Sequence, residues 1–384
     1  MSAASPAMDG RSDGSMTIRG AILETSDAPR PYADSRPIRI GTLDLTPPGP
    51  GEILVKVEAA SLCHSDLSVI NGNRRRPLPM LLGHESSGRV VALGPDVDDL
   101  ALGQRVVLTF MPRCGACDAC RTEGRIPCTR GTAANGAGTL LDGDVHLSEC
   151  GHPVLHHLGV SAFADHLVAH RSSAVPVGDD VPPDVAALLG CAVLTGGGAL
   201  LNEARPTEAD VVAVIGLGGV GMAALITAKA LRPRRIVAID ALPDKLALAR
   251  SLGADEALSP QDAVDRGIRA DIVMECAGHP KAFETAFAIT APGGTTVTVG
   301  LPAPGAMAQI SPLQVTAEAR RIVGSYLGSS VPRRDIPFLE RLWREGRLPV
   351  ERLISRRIGL EDINAAFDAL ASGDQLRQVI MFDA

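Results

Sequence analysis

Val211–Ile215 is an unbroken apolar run that leads straight into Gly216-Leu217-Gly218-Gly219-Val220-Gly221, followed by an amphipathic stretch over Met222–Leu231. A strand, a glycine turn and a helix in that order leave little room for anything but a βαβ unit, because parallel strands need a helical crossover between them. The same rhythm repeats downstream. Strands are expected at Arg235–Asp240, Asp271–Cys276 and Thr295–Val299, with helices at Asp244–Leu252 and Pro280–Thr290. The fold class is therefore α/β, with a doubly wound parallel sheet in this region.

Gly216, Gly218 and Gly221 fall on G-x-G-x-x-G in its required context. These positions permit a tight turn, backbone approach to a pyrophosphate, and close helix–strand packing, while the helix N-terminus offers amides to phosphate. Gly219 and Val220 complete the turn. Asp240 follows Gly221 by nineteen residues, at the end of the next strand, where a carboxylate can accept both adenosine ribose hydroxyls. A 2′-phosphate would meet that charge with no arginine in Ala241-Leu242-Pro243, so NAD is expected over NADP. Lys245 is a further candidate ribose contact, with a helix-surface lysine as the plain alternative.

A second pattern lies upstream. Cys114, Cys117 and Cys120, then Cys128, have the spacing to wrap four sulfurs around one tetrahedral zinc ion, the closed arrangement of a structural site. Cys63 and His84, in Cys63-His64-Ser65-Asp66 and Gly83-His84-Glu85, join Cys191 as a Cys₂His set. Three protein donors with a fourth place for water or substrate is the count of a catalytic zinc.

The 384 residues carry a net charge of −7, and the pI is near 5.7. Neither value offers the basic footprint that nucleic acid or anionic lipid requires, so both are excluded as expected partners. No apolar run reaches membrane-spanning length. The first fifteen residues, MSAASPAMDGRSDGS, are small, polar and acidic, and are expected to be a disordered tail without a secretory signal. Met16 opens the first apolar-patterned run and is a candidate start of translation. Residence in the cytoplasm is expected, with thiols kept reduced. From Ile53 to about Val107, short β-branched runs alternate with Gly and Pro, as in a strand-rich domain. The end of the chain is expected to hold a helix at Leu360–Leu370 and a strand at Gln378–Phe382.

Taken in order, Cys63-x-Ser65-Asp66, Gly83-His84-Glu85, the four-cysteine lobe, Cys191 with Thr195 four residues on, the glycine turn, Asp240 and Arg377 resemble the zinc-dependent medium-chain alcohol dehydrogenases. The resemblance runs from Met16 to Ala384. It implies a GroES-like β-rich catalytic domain, residues 16–193 and 327–384 with the zinc lobe at 112–130, and a Rossmann domain at 194–326. Zinc and nicotinamide would meet in the cleft between them. It further implies reversible oxidation of an alcohol to an aldehyde or ketone, the zinc-held alkoxide passing hydride to NAD. Two zincs per chain are expected. By the same resemblance Ser65 relays the substrate proton, Asp66 orients His84, and Glu85 transiently replaces a zinc ligand. Thr195 and Val299 would adjoin the nicotinamide, His64 and Arg377 would face the pyrophosphate, and Phe110 would line the substrate channel.

Two departures bear on activity. Ser68 stands where several members of this family carry a relay histidine, and placing histidine there is expected to raise alcohol oxidation. Arg74-Arg75-Arg76 occupies a loop that borders the substrate channel in the family; it suits either a solvated loop or, through Arg74, an anionic substrate. The glutathione-dependent formaldehyde branch carries acids near Gly72 and Arg74 and an arginine near Thr132, none of which is present. A zinc polyol or amino-alcohol dehydrogenase, and a non-catalytic protein on this scaffold, are the alternative readings; Cys191 argues against the former, since those branches use a carboxylate instead. Cys150 and Cys276 are expected to be packing residues, and His156, His157, His166 and His170 surface residues. A homodimer or homotetramer is expected.

Overall fold

The structure, a computed structural model, describes residues 14–383. The expected disordered tail at 1–15 lies almost wholly outside them, and Met16 opens the first strand. The chain divides into two compact units. One comprises residues up to Arg121, Pro127–Cys191 and Ile354 onward, and the other Thr122–Ile126 and Ala192–Leu353. The later boundary differs from the expected return at 327. The segment after Leu327 packs inside the second unit, where Asn202 Nδ2 donates to Gly328 O and to the Asp335 carboxylate at 3.1 and 3.0 Å.

The first unit is built on β-structure. Met16–Leu23, Ile38–Leu45, Leu147–Glu149, His152–His156 and Met80–Leu81 close a small barrel. A second sheet runs Ala174–Pro176, Arg105–Leu108, Glu85–Leu93, Glu52–Ser61, Arg377–Met381, Ile354–Ile358, with His166–His170 also paired to Glu52–Ser61. Both chain ends therefore contribute to one sheet. Its apolar face joins Val55, Val57, Leu82, Val106, Phe163 and Phe367 in one buried cluster. The predicted strands at 53–58, 88–93 and 104–108 are present, and the C-terminal helix spans Ile363–Ser372 after a 3₁₀ turn at Leu360–Asp362.

The second unit carries six parallel strands in the order Glu256–Leu258, Arg235–Ile239, Val211–Ile215, Ala270–Glu275, Thr290–Thr298, Arg321–Gly324. Numbered along the chain this is 3-2-1-4-5-6, the doubly wound dinucleotide-binding order, whose ligand crevice lies at the carboxyl ends of the strands where the order reverses. Helices Gly219–Leu231, Pro243–Ser251 and Pro280–Ile289 connect the central strands close to the expected bounds. The two outermost strands were not legible in the sequence. At three and four residues each, they are too short to show a periodicity.

Candidate active site and zinc lobe

Cys63 ends an extended segment and caps helix His64–Ile70, and the Asp66 carboxylate returns to accept from Cys63 N at 3.1 Å. This local box sets the direction of the helix and turns Asp66 inward. Asp66 also accepts from Gly83 N at 3.3 Å and from His84 Nδ1 at 3.0 Å. With Nδ1–H donated to a carboxylate, His84 presents Nε2 on the opposite side, and Cys191 Sγ lies 3.6 Å from it. The ligand atoms of Cys63, His84 and Cys191 all fall within 4.8 Å of one another, and the three residues are buried. The thiol of Cys191 donates toward Cys63 and holds it well below the ordinary thiol range; the same contact, with burial, pushes Cys191 well above it. Burial disfavours charge on His84, yet the Asp66 carboxylate and Cys63 thiolate outweigh it and raise its pKa well above the usual value. Two sulfurs and an imidazole gathered in a dry site form a soft donor set that fits zinc, whose binding takes the place of those protons.

Glu85 is fully buried behind this set, and Arg377 Nε lies 3.9 Å from its Oε2. Arg377 also donates to Leu62 O at 3.2 Å. Arg377, expected at a pyrophosphate, is 2% exposed and lies on the thiolate side of the site; the charges of Glu85, Cys63 and Cys191 outweigh its burial and raise its pKa. The Phe110 ring meets His84 edge-on at 5.4 Å. Ser65 is half-buried and His64 exposed on the first helical turn. Ser68 Oγ donates to His64 O, and Arg74 N to Ser68 O, which ties the half-buried Arg74 segment to this helix.

His157 was expected at the surface. It is 1% exposed, its Nε2 stands 3.2 Å from the same Asp66 oxygen that receives His84, and its ring meets the His84 ring edge-on at 5.6 Å. Burial lowers its pKa and keeps it neutral. His156 is buried as well, whereas His166 and His170 are partly exposed. The partner that brings His157 inside is remote in sequence, so its neighbours carried no sign of burial. Cys150, expected in the core, is exposed, and Cys276 is half-buried at the end of strand Ala270–Glu275.

In the four-cysteine lobe, Cys114 and Cys120 sulfurs are 4.0 Å apart and those of Cys117 and Cys128 3.9 Å. Zinc–sulfur bonds of about 2.3 Å at tetrahedral angles put sulfurs roughly 3.8 Å apart. All four lie within 4.8 Å of each other, and none is in a disulfide. Cys128 caps helix Thr129–Ala137 and accepts from Gly131 N and Cys114 N. Backbone amides likewise hold Cys117 down to about 6, while burial pushes Cys120 up to about 12.

In the second unit Gly216 has φ +84°, and a Cβ there would come within 2.6 Å of Ala277 N. At Gly221 a Cβ would sit 1.9 Å from Gly216 O, whereas at Gly218 it would meet nothing within 4 Å. Two glycines thus close the turn, and the third leaves an open approach over the helix N-terminus, which fits a pyrophosphate. Asp240 Oδ2 accepts from Leu217 N at 2.6 Å and Oδ1 from Leu242 N at 2.9 Å, which fixes the carboxylate beside the turn with lone pairs to spare for ribose. Lys245 is half-buried on the following helix. Thr195 and Val299 are buried, and Val299 N donates to Glu275 O. Glu275 went unremarked in the sequence. Its buried carboxylate accepts from Ala277 N, Gly278 N and Thr298 Oγ1 at 2.9, 2.7 and 2.8 Å, and so knits together two strand ends beside the glycine turn.

A family model for the alcohol dehydrogenase GroES-like domain matches residues 49–183, and one for zinc-binding dehydrogenase matches residues 219–343. The chain is 32% identical over 359 residues to S-(hydroxymethyl)glutathione dehydrogenase of Synechocystis sp., covering 90% of this chain and 97% of that one. It is 31% identical over 363 residues to proteins of the same name from Escherichia coli, covering 91% and 98%. Among solved structures, an alcohol dehydrogenase zinc-binding domain protein from Burkholderia ambifaria superposes with a TM-score of 0.89 at 32% identity. Benzyl alcohol dehydrogenase from Acinetobacter calcoaceticus gives 0.88 at 30%; both matches cover 96% of this chain and all of the other. The chain belongs to the zinc-dependent medium-chain alcohol dehydrogenases, oxidoreductases that act on CH–OH groups.

Proposed function

We propose that this alcohol dehydrogenase works with NAD and two zinc ions per chain, one held by Cys63, His84 and Cys191 and the other by Cys114, Cys117, Cys120 and Cys128. The observation that carries the reading is the buried Cys₂His donor set with Asp66 bonded to the far nitrogen of its histidine. When bound, zinc supplies the Lewis acidity that makes alcohol deprotonation feasible near neutral pH, and NAD supplies the hydride acceptor. Ser65, whose hydroxyl both donates and accepts, takes up the substrate proton and passes it toward water, since Ser68 replaces the further relay group. Asp66 keeps His84 in one orientation and tautomer, and Glu85 is the carboxylate available for ligand exchange. Phe110 excludes water on one side of His84. Gly216, Gly218, Gly219, Val220 and Gly221 hold the pyrophosphate, joined by His64; Asp240 and Lys245 hold the ribose; Thr195 and Val299 support the nicotinamide.

Several relatives bear the name S-(hydroxymethyl)glutathione dehydrogenase. That substrate is not carried over, because Gly72 and Arg74 stand where acids, and Thr132 where an arginine, are expected for a glutathione adduct. A free alcohol, neutral or anionic, is the substrate class proposed. Eight unpaired cysteines suit a reducing compartment such as the cytoplasm, and a homodimer or homotetramer is the assembly proposed.

The deciding experiment is zinc content by elemental analysis on the same preparation as an NAD-dependent turnover panel of alcohols. After dialysis against zinc-free buffer, which leaves only the thiolate-held ions, about two zincs with turnover are expected, falling to about one with at least 10³-fold lower turnover in Cys63→Ser. Undiminished turnover in Cys63→Ser would remove the catalytic assignment.

A further inference from the structure

Away from both cysteine sites, Glu52, Asp144 and His146 bring their ligand atoms within 4.8 Å of one another. Glu52 opens strand Glu52–Ser61, and His146 immediately precedes strand Leu147–Glu149 of the barrel. Asp144 lies in the turn between, whose closure is the bond from Leu140 N to Asp144 O at 2.9 Å. Glu52 and His146 are buried, at 2% and 8% exposure, and Asp144 is exposed at the mouth.

His146 is held on one side by Thr46 and turned on the other toward Glu52. The Thr46 hydroxyl lies 2.7 Å from Nδ1 and holds the ring from that side. Nε2 is buried and makes no hydrogen bond, yet it stands 2.7 Å from Glu52 Oε2. Glu52 Oε2 already accepts from Gly49 N at 2.8 Å. A buried imidazole nitrogen and a carboxylate oxygen this close, with no hydrogen bond between them, are placed to turn their lone pairs toward one cation. Asp144 adds a second carboxylate on the open side of the pair.

We propose that Glu52, Asp144 and His146 form a third metal site, for a divalent first-row cation of the zinc type. One imidazole nitrogen and two carboxylate oxygens match that class. The absence of sulfur disfavours a soft ion, and the histidine disfavours calcium or magnesium. Two carboxylate charges balance the dication, and water fills the remaining positions on the Asp144 side. The bound ion pins the 140–146 turn to the start of strand Glu52–Ser61, so its role is to stabilise the barrel rather than to act on substrate.

The test uses the full-length protein and an Asp144→Asn variant, whose exposed position preserves the fold, dialysed together against micromolar Zn²⁺. Wild type is expected to retain one zinc equivalent per chain more than the variant. Its melting temperature should rise with zinc by more than the variant's. Turnover should be the same in both. Cobalt substitution separates the sites, since the additional equivalent should add weak visible absorption without any gain in the sulfur-to-cobalt charge-transfer band that marks the thiolate sites. His146→Gln should weaken the same equivalent by at least about tenfold. Equal zinc counts in wild type and Asp144→Asn would overturn the proposal and leave a proton shared between His146 and Glu52.

Discussion

At the residue scale, the Asp66 carboxylate organises the Cys63, His84 and Cys191 donor set. It receives Cys63 N, Gly83 N and His84 Nδ1, and His157 approaches the same oxygen as His84. Outer partners of a metal-bound histidine fix its orientation, and their loss typically costs 10–100-fold in metal affinity. His157→Ala is therefore expected to lose zinc from the Cys63 site to a competing chelator about 10-fold faster or more, with the four-cysteine zinc unaffected. Zinc release followed with a chromogenic chelator checks this, and identical release curves would assign His157 to packing alone. The half-buried Arg74, tied by its backbone to Ser68, supports a second expectation. If its guanidinium recognises an anion, Arg74→Ala should raise KM for carboxylate-bearing alcohols at least about tenfold and leave neutral alcohols unchanged. Unchanged preference between the two substrate classes would return the arginine run to solvent.

At the element scale, the large sheet of the first unit is held by charge as well as by its apolar face. Glu58 on strand Glu52–Ser61 accepts from Arg105 Nε at 2.7 Å and from Arg89 Nε at 3.2 Å, so one carboxylate clamps three adjacent strands. Burial works against its charge, but Arg105 and Arg89 hold its pKa below the ordinary 4.5. A carboxyl depressed in the folded state contributes stability above its unfolded pKa and loses it as pH falls through the folded value. Glu58→Gln should thus cost about 1–3 kcal/mol at pH 7, and the difference from wild type should close progressively below pH 4.5. Urea unfolding at several pH values measures this; a difference independent of pH would assign the loss to packing. The glycine turn and cysteine lobe belong to this scale too. They were readable because their chemistry is local, with strand, turn and helix, or four sulfurs, falling within a few residues of each other.

At the scale of the whole molecule, the two units differ in how the chain makes them. The second is nearly continuous, whereas the first needs residues from Ile354 onward for two strands and for Ile363, Phe367, Leu370 and Ile380 of its core. A fragment spanning 192–353 is expected to unfold cooperatively and to bind NAD, while a chain ending at 353 should fail to form the barrel-bearing unit. Calorimetry with NAD titration on each fragment checks this, and a cooperatively folded first unit in the truncated chain would contradict it. Sequence alone determined the parallel sheet around Val211–Ile215, the glycine turn with Asp240, both sulfur-rich donor sets and the family resemblance, because these depend on residue type and short spacing. Tertiary structure decided that His157 stands inside beside Asp66, that Arg377 faces Glu85, that the first unit resumes only at Ile354, and that Glu52 meets His146. Each of these joins residues far apart along the chain, and their partners were chosen by burial and strand pairing, which no local pattern records.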